Sequence, residues 1–129
     1  MEDCIFCKII NGDIPSKTIH EDENIKVIMD INPKTNGHLL VLPKTHYENL
    51  FDIDDNILLE IINYIRNNYN YLKERLNCEG LTIAQNNGYG QDVKHFHIHL
   101  IPRYNDDKID LTKYEKTIDI DEIYNKLMD

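Results

Sequence analysis

Histidine alternates with large apolar residues through His95-Phe96-His97-Ile98-His99-Leu100-Ile101. This period-two pattern predicts a half-buried strand. On such a strand His95, His97 and His99 share one face, while Phe96, Ile98 and Leu100 point into a core. A lone histidine there is commonly a satisfied structural residue. Three of the chain's six histidines in one register need a chemical reason, because an imidazole costs something to bury and gains little in packing. The histidine face is expected to be the exposed one, so that His97→Ala leaves the fold intact.

Two chemistries compete for the row. On a strand, i and i+2 lie about 6.5–7 Å apart and i and i+4 about 13 Å. Two nitrogens on one zinc can be only about 4 Å apart at most. A single ion therefore cannot take His95 and His99 together without distorting the strand. The other chemistry is a neutral imidazole nucleophile at His97, with flanking groups fixing its tautomer and protons.

The pattern extends beyond the row. Asp30-Ile31-Asn32-Pro33 and Gly37-His38-Leu39-Leu40-Val41-Leu42-Pro43-Lys44-Thr45-His46 lie upstream. Gly90-Gln91-Asp92-Val93 precedes the row and Pro102-Arg103 follows it. In this order the segments resemble the histidine triad (HIT) superfamily, whose signature is His-φ-His-φ-His-φ-φ with φ apolar. Cys4-Ile5-Phe6-Cys7-Lys8-Ile9 is similar to the start of its bacterial-type, Hint-like branch. The resemblance spans residues 4–105.

Composition agrees with a soluble domain. The chain has 129 residues, 41% hydrophobic and 29% charged, which fits one domain over 1–129 with a core at 4–105 and a tail at 106–129. No apolar run approaches a membrane span. Met1-Glu2-Asp3-Cys4 lacks the features of a secretory signal, so a cytoplasmic location is expected. A net charge of −9 argues against a nucleic-acid polymer as partner, since backbone binding needs Lys/Arg stripes. A small nucleotide is still allowed, because local amides can hold its phosphate. Three cysteines argue against a disulfide framework, and Cys78 reads as a structural thiol.

The elements that must position the row are readable in part. Cys4-x-x-Cys7 opens a short helix that Gly12 can end. Pro15 starts an extended segment. Residues 25–29 and 38–42 read as neighbouring antiparallel strands around a turn at 32–37. Asp52 to Leu76 reads as the one long helix, capped by Asp54 or Asp55. Its core stripe is Leu58, Ile61, Ile62, Ile65, Tyr69, Leu72 and Leu76. A third strand follows at 81–84. Asn86-Asn87-Gly88-Tyr89-Gly90-Gln91 is a polar loop whose glycines free backbone N–H groups to face an anion. Ile120, Ile123, Tyr124 and Leu127 suggest a short amphipathic helix in the tail.

The resemblance implies more than the residues alone. It implies an α+β, HIT-like fold: a five-stranded, mainly antiparallel sheet with one long helix and short terminal helices. It implies a homodimer whose sheets join into ten strands. It implies hydrolysis or transfer at the α-phosphate of a nucleotide conjugate, whether a phosphoramidate, a dinucleoside polyphosphate or an adenylylated substrate. In that reading His97 forms a nucleotidyl intermediate, and His38 and His99 complete its proton network. Asp30 and Ile31 face the nucleoside, with Asp30 at the ribose hydroxyls. Asn86, Gly90, Gln91 and Asp92 surround the phosphate of a purine nucleotide such as AMP or GMP. Bacterial-type members also pair the C-x-x-C with two histidines, here His46 and His95. Together with Cys4 and Cys7 these would hold a structural zinc that catalysis does not require. The alternative within the resemblance is a nucleotide-binding regulatory protein with vestigial hydrolysis. Two departures stand out. Asp92 lies where named branches carry Ser or Thr, and the chain has no tryptophan, so it lacks the tryptophan-bearing C-terminal segment of the Hint branch.

Overall fold

Five strands form one antiparallel sheet in the computed structural model, which describes residues 3–128. They are β1 (Thr18–Glu21), β2 (Ile25–Met29), β3 (Leu39–Pro43), β4 (Gly80–Ala84) and β5 (Ile98–Arg103), in the spatial order β1-β2-β3-β5-β4. Helices α1 (Ile5–Ile10), α2 (Asp55–Leu76) and α3 (Ile120–Met128) accompany them. This is the α+β architecture expected from the resemblance. No helix among the described residues is long and apolar enough to cross a membrane.

The register sorts the side chains onto two faces. Val27 pairs with Val41, which pairs with Ile98. These residues pack with Phe96 and Leu100 against Ile61, Ile65 and Leu72 of α2. Ile28 pairs with Leu40, which pairs with His99. Ile28, Leu40 and Leu42 pack against Phe6 and Ile9 of α1. With helices on both sides, β3 is apolar throughout and β2 is apolar except for Lys26, whose ammonium reaches Glu21 at 3.3 Å. Each large side chain so buried contributes about 1.5–3 kcal/mol.

Local chemistry sets the element ends. The Asp54 carboxylate accepts from the N–H groups of Asn56 and Ile57 at 3.0 and 3.2 Å. Asp52 lies outside the helix because its carboxylate already accepts from Glu48 and Asn49 N–H, at 3.0 and 2.9 Å, in the preceding turn. Asn77 closes α2 in the left-handed region, φ 56°, a position that asparagine tolerates.

β3 and β4 lie within a residue of expectation, and the larger differences are at β5 and β1. The ladder of β5 begins at Ile98, so His95 and His97 lie in its lead-in. There the Phe96 N–H donates to the Tyr47 carbonyl at 2.7 Å instead of to a strand. The strand β1 completes the sheet from the extended segment after Pro15. It is mostly exposed and carries no alternation to read. Helix α3 forms where its apolar spacing places it, but none of its described residues is buried.

Gly37 leads into β3 at φ +87°, and a Cβ there would meet the Leu76 side chain at the end of α2. Gly37→Ala is expected to lower stability by about 1–3 kcal/mol. Thermal unfolding reads this directly, and an unchanged Tm would contradict it.

Candidate active site

Helix α1 covers the histidine face instead of leaving it exposed. The Phe6 ring meets the His97 ring edge-on at 5.0 Å and the His95 ring at 5.8 Å. His95 and His97 are accordingly 0% and 4% exposed. The expectation of an open face is corrected: the apolar residues of β2 and β3 on that side draw Phe6 and Ile9 down over the imidazoles.

Backbone partners assign the protons. His97 Nδ1 is 2.7 Å from the His95 carbonyl, which can only accept, so Nδ1 carries the hydrogen and donates. His97 Nε2 then holds a lone pair. A second chain starts at the Lys34 N–H, which donates to His38 Nδ1 at 3.0 Å. A neutral His38 therefore carries its hydrogen on Nε2 and donates it to His99 Nδ1 at 3.0 Å. His99 in turn carries its hydrogen on Nε2. Burial pushes His38 and His99 below the ordinary histidine range; the neighbouring histidines lower His99 further, while Asp30 opposes the shift at both. Neutral rings are what this chain of bonds requires.

A cavity of about 230 Å³ opens at these rings. His97 and His99 wall it beside Asp30 and Ile31, with Ile9 and Leu40 among its apolar side chains. The Asp30 carboxylate accepts from Asn32 N–H at 2.8 Å through one oxygen, and the other lies 3.4 Å from His38 Nε2. From the polar loop, Asp92 reaches the cavity wall. Its Oδ1 is 3.6 Å from His97 Nε2, and the carboxylate is 79% exposed. Asn86 is exposed, and Gly90 is exposed at φ +97°. Gln91 is buried and its amide is taken: Nε2 donates to the Glu48 carbonyl at 2.6 Å and Oε1 accepts from Gly88 N–H at 3.2 Å. Its side chain positions the loop. Sequence reading missed the two backbone partners that set the tautomers, the His95 carbonyl and the Lys34 N–H, because neither depends on side-chain type. It also missed Phe6 as the cover of His97.

The remaining site residues gather at the other end of the row. His95 Nδ1 lies 3.3 Å from Cys4 Sγ, 3.6 Å from Cys7 Sγ and 3.1 Å from His46 Nδ1, and Cys7 Sγ lies 3.4 Å from His46 Nδ1. A tetrahedral zinc with bonds of about 2.0–2.3 Å has ligand edges of roughly 3.3–3.8 Å. The cluster fits that size and donor set. His95 Nε2 donates to the Pro43 carbonyl at 2.9 Å, which turns the Nδ1 lone pair toward the sulfurs. Burial, then the neighbouring Cys4 sulfur, push the Cys7 thiol up to about 11. A cation would be needed to make Cys7 a thiolate at neutral pH.

Burial pushes His95 down to about 4, and His38 and His99 shift the same way from 6.5. Above about pH 6.5 these rings are neutral in both folded and unfolded chains, and their contribution to stability is complete. Below it the unfolded chain takes up protons first, so stability falls as pH drops toward the folded values. A Tm series is expected to decline from pH 6.5 toward pH 4. A flat Tm across that range would contradict the buried, neutral assignment.

A family model described as the HIT domain matches residues 11–106. A HIT-like protein of Methanocaldococcus jannaschii is 43% identical over 128 residues, covering 96% of this chain and 98% of that protein. A Candida albicans protein named as an adenosine 5'-monophosphoramidase is 40% identical over 106 residues, covering 78% of this chain and 70% of its own. The crystal structure of a zinc-bound histidine triad family protein from Mycobacterium smegmatis matches with a TM-score of 0.79 at 39% identity, over 85% of this chain and 81% of that one. A buried imidazole row on a five-stranded sheet and a family match over most of the chain lead to one assignment: the protein belongs to the histidine triad (HIT) family.

Proposed function

We propose that this chain is a nucleotide hydrolase or transferase that acts at the α-phosphate of a nucleotide conjugate through a nucleotidyl-His97 intermediate. The observation that carries the reading is the 2.7 Å bond from His97 Nδ1–H to the His95 carbonyl, which leaves the Nε2 lone pair at the cavity wall. In the first step that pair forms the N–P bond. The bond from phosphorus to the leaving group breaks, its electrons stay with the leaving group, and water supplies the proton. The nucleotidyl ring is then cationic, with its Nδ1–H still on the His95 carbonyl, which stabilises the charge. In the second step water attacks phosphorus, the N–P pair returns to Nε2, and the water's proton passes to solvent.

The other residues support both steps. His99 Nε2–H is a neutral donor beside His97, suited to a non-bridging phosphate oxygen. Asn86 and the amides of Gly90 and Asp92 would supply further donors as charge builds, whereas the Gln91 N–H, expected among them, already donates to the Gly88 carbonyl at 2.9 Å. Asp30 offers acceptor oxygens for a ribose cis-diol. Ile31 and the apolar side of the cavity would hold a purine base, as in AMP or GMP. Cys4, Cys7, His46 and His95 would hold a zinc ion, which when bound supplies a cross-link from α1 to the end of β3 and the lead-in to β5. The free edge of β4, with Ile83 52% exposed, suits pairing with a second copy into a ten-stranded sheet.

His97→Asn keeps a short amide near the His95 carbonyl. It is expected to lose about 10³-fold or more in turnover of adenosine 5'-phosphoramidate. Rapid-quench mass spectrometry should find an AMP adduct on the wild-type chain alone. Full turnover by the variant, or AMP binding without any adduct in single turnover, would overturn the reading; the second result marks a binding protein. Elemental analysis of metal-replete protein is expected to give about one zinc per chain, lost in the Cys4→Ser, Cys7→Ser double variant. Zinc retained in that variant would contradict the cluster as its site.

A further inference from the structure

We infer that the leaving-group side of this site selects by charge: it takes a conjugate whose leaving group is a cationic amine and disfavours one that departs as a polyphosphate. The inference rests on the hydrolase reading above and narrows its substrate class. A second cavity of about 480 Å³ adjoins the histidine cavity, and Ile5, Asp92 and Val93 wall both. With a nucleoside held at Asp30 and Ile31, the group beyond the phosphorus would pass Asp92 into this second space. Its carboxylates are Asp3, Glu48 and Asp92 against the one ammonium of Lys94, and Cys4 and His46 of the cysteine–histidine cluster also wall it. The Lys94 ammonium is already bound to the Gly88 carbonyl at 3.0 Å. The excess charge there is negative.

The nucleophile itself points to this wall. Among the described residues His97 Nε2 makes no hydrogen bond, although its ring is 4% exposed, and its nearest charged neighbour is Asp92 Oδ1 at 3.6 Å. A phosphorus about 3–3.5 Å from Nε2 places the bond that breaks within reach of the same carboxylate. Asp92 cannot donate a proton when ionised. It can accept. In a phosphoramidate the bridging nitrogen takes a proton from water and becomes R–NH₂⁺–P. The His97 pair forms N–P, the old P–N pair stays on the nitrogen, and R–NH₂ leaves and takes up a proton in solvent. The Asp92 carboxylate accepts an N–H from that nitrogen throughout, and no proton passes to it. An anhydride offers no such N–H and brings negative oxygens against three carboxylates.

The test uses adenosine 5'-phosphoramidates with one reacting bond and one chain length, ending in an ammonium, a methyl or a carboxylate, with a dinucleoside tetraphosphate as a fourth substrate. For the wild-type chain kcat/KM is expected to fall by about tenfold at each step from ammonium to methyl to carboxylate, with the tetraphosphate below the methyl-ended amide. Added salt should compress the spread. In an Asp92→Asn, Glu48→Gln double variant the three amides should agree within about threefold. Using ratios within one protein cancels any loss of folded enzyme. Equal kcat/KM across the wild-type amides, or a faster tetraphosphate, would overturn charge selection and leave nucleotidyl-His97 intact. A spread undiminished in the double variant would overturn its assignment to these carboxylates. No turnover of any amide, with no AMP adduct, would remove the hydrolase reading together with this inference.

Discussion

The 2.7 Å bond between His97 Nδ1 and the His95 carbonyl governs the rest of the site. A hydrogen bond of this kind contributes about 0.5–1.5 kcal/mol net, and here it also selects the tautomer. Moving the hydrogen to Nε2 would set two lone pairs, on nitrogen and carbonyl oxygen, against each other in a buried place. The partner oxygen belongs to His95, whose own ring reaches Cys4, Cys7 and His46 and donates to Pro43. One residue thus ties the cysteine cluster to the histidine cavity: its side chain is fixed at the first and its carbonyl acts at the second. Helix α1 closes the link from above, with Cys4 and Cys7 at its start and Phe6 against His97.

The second chain of bonds follows the same logic. A backbone N–H cannot reverse its direction, so Lys34 imposes the orientation of His38, and His38 that of His99. Burial keeps both rings neutral, which the chain needs. The result is a donor at His99 Nε2 beside an acceptor at His97 Nε2, with ring centroids 5.0 Å apart. A bound phosphoryl group presents a matching pair, an electrophilic phosphorus and an oxygen that accepts.

Much of this was legible because it is periodic or clustered in the chain. The core strand β3 shows as an apolar run, β2 as one interrupted only by Lys26, α2 as a helical stripe with Asp54 as its cap, and the histidine row as alternation. The Cys4, Cys7, His46 and His95 grouping came through the family resemblance, and the structure brings their ligand atoms within 4.8 Å of one another. Three features were hidden for physical reasons. β1 is mostly exposed and gives no pattern. The burial of His97 comes from α1, a helix of 6 residues that buries only Phe6 and Ile9, too few to reveal which sheet face it covers. Gln91, read as a phosphate-side residue, holds its own loop instead, because both ends of its amide find backbone partners that composition does not reveal.

Long-range proton–nitrogen correlation spectra of the protein with isotope-labelled histidines read the tautomer of each ring directly. At pH 7.5 His97 should be neutral with its hydrogen on Nδ1, while His38 and His99 carry theirs on Nε2. A His97 ring protonated on Nε2, whether as the other tautomer or as imidazolium, would leave no lone pair facing the cavity and would contradict the nucleophile at the centre of this site.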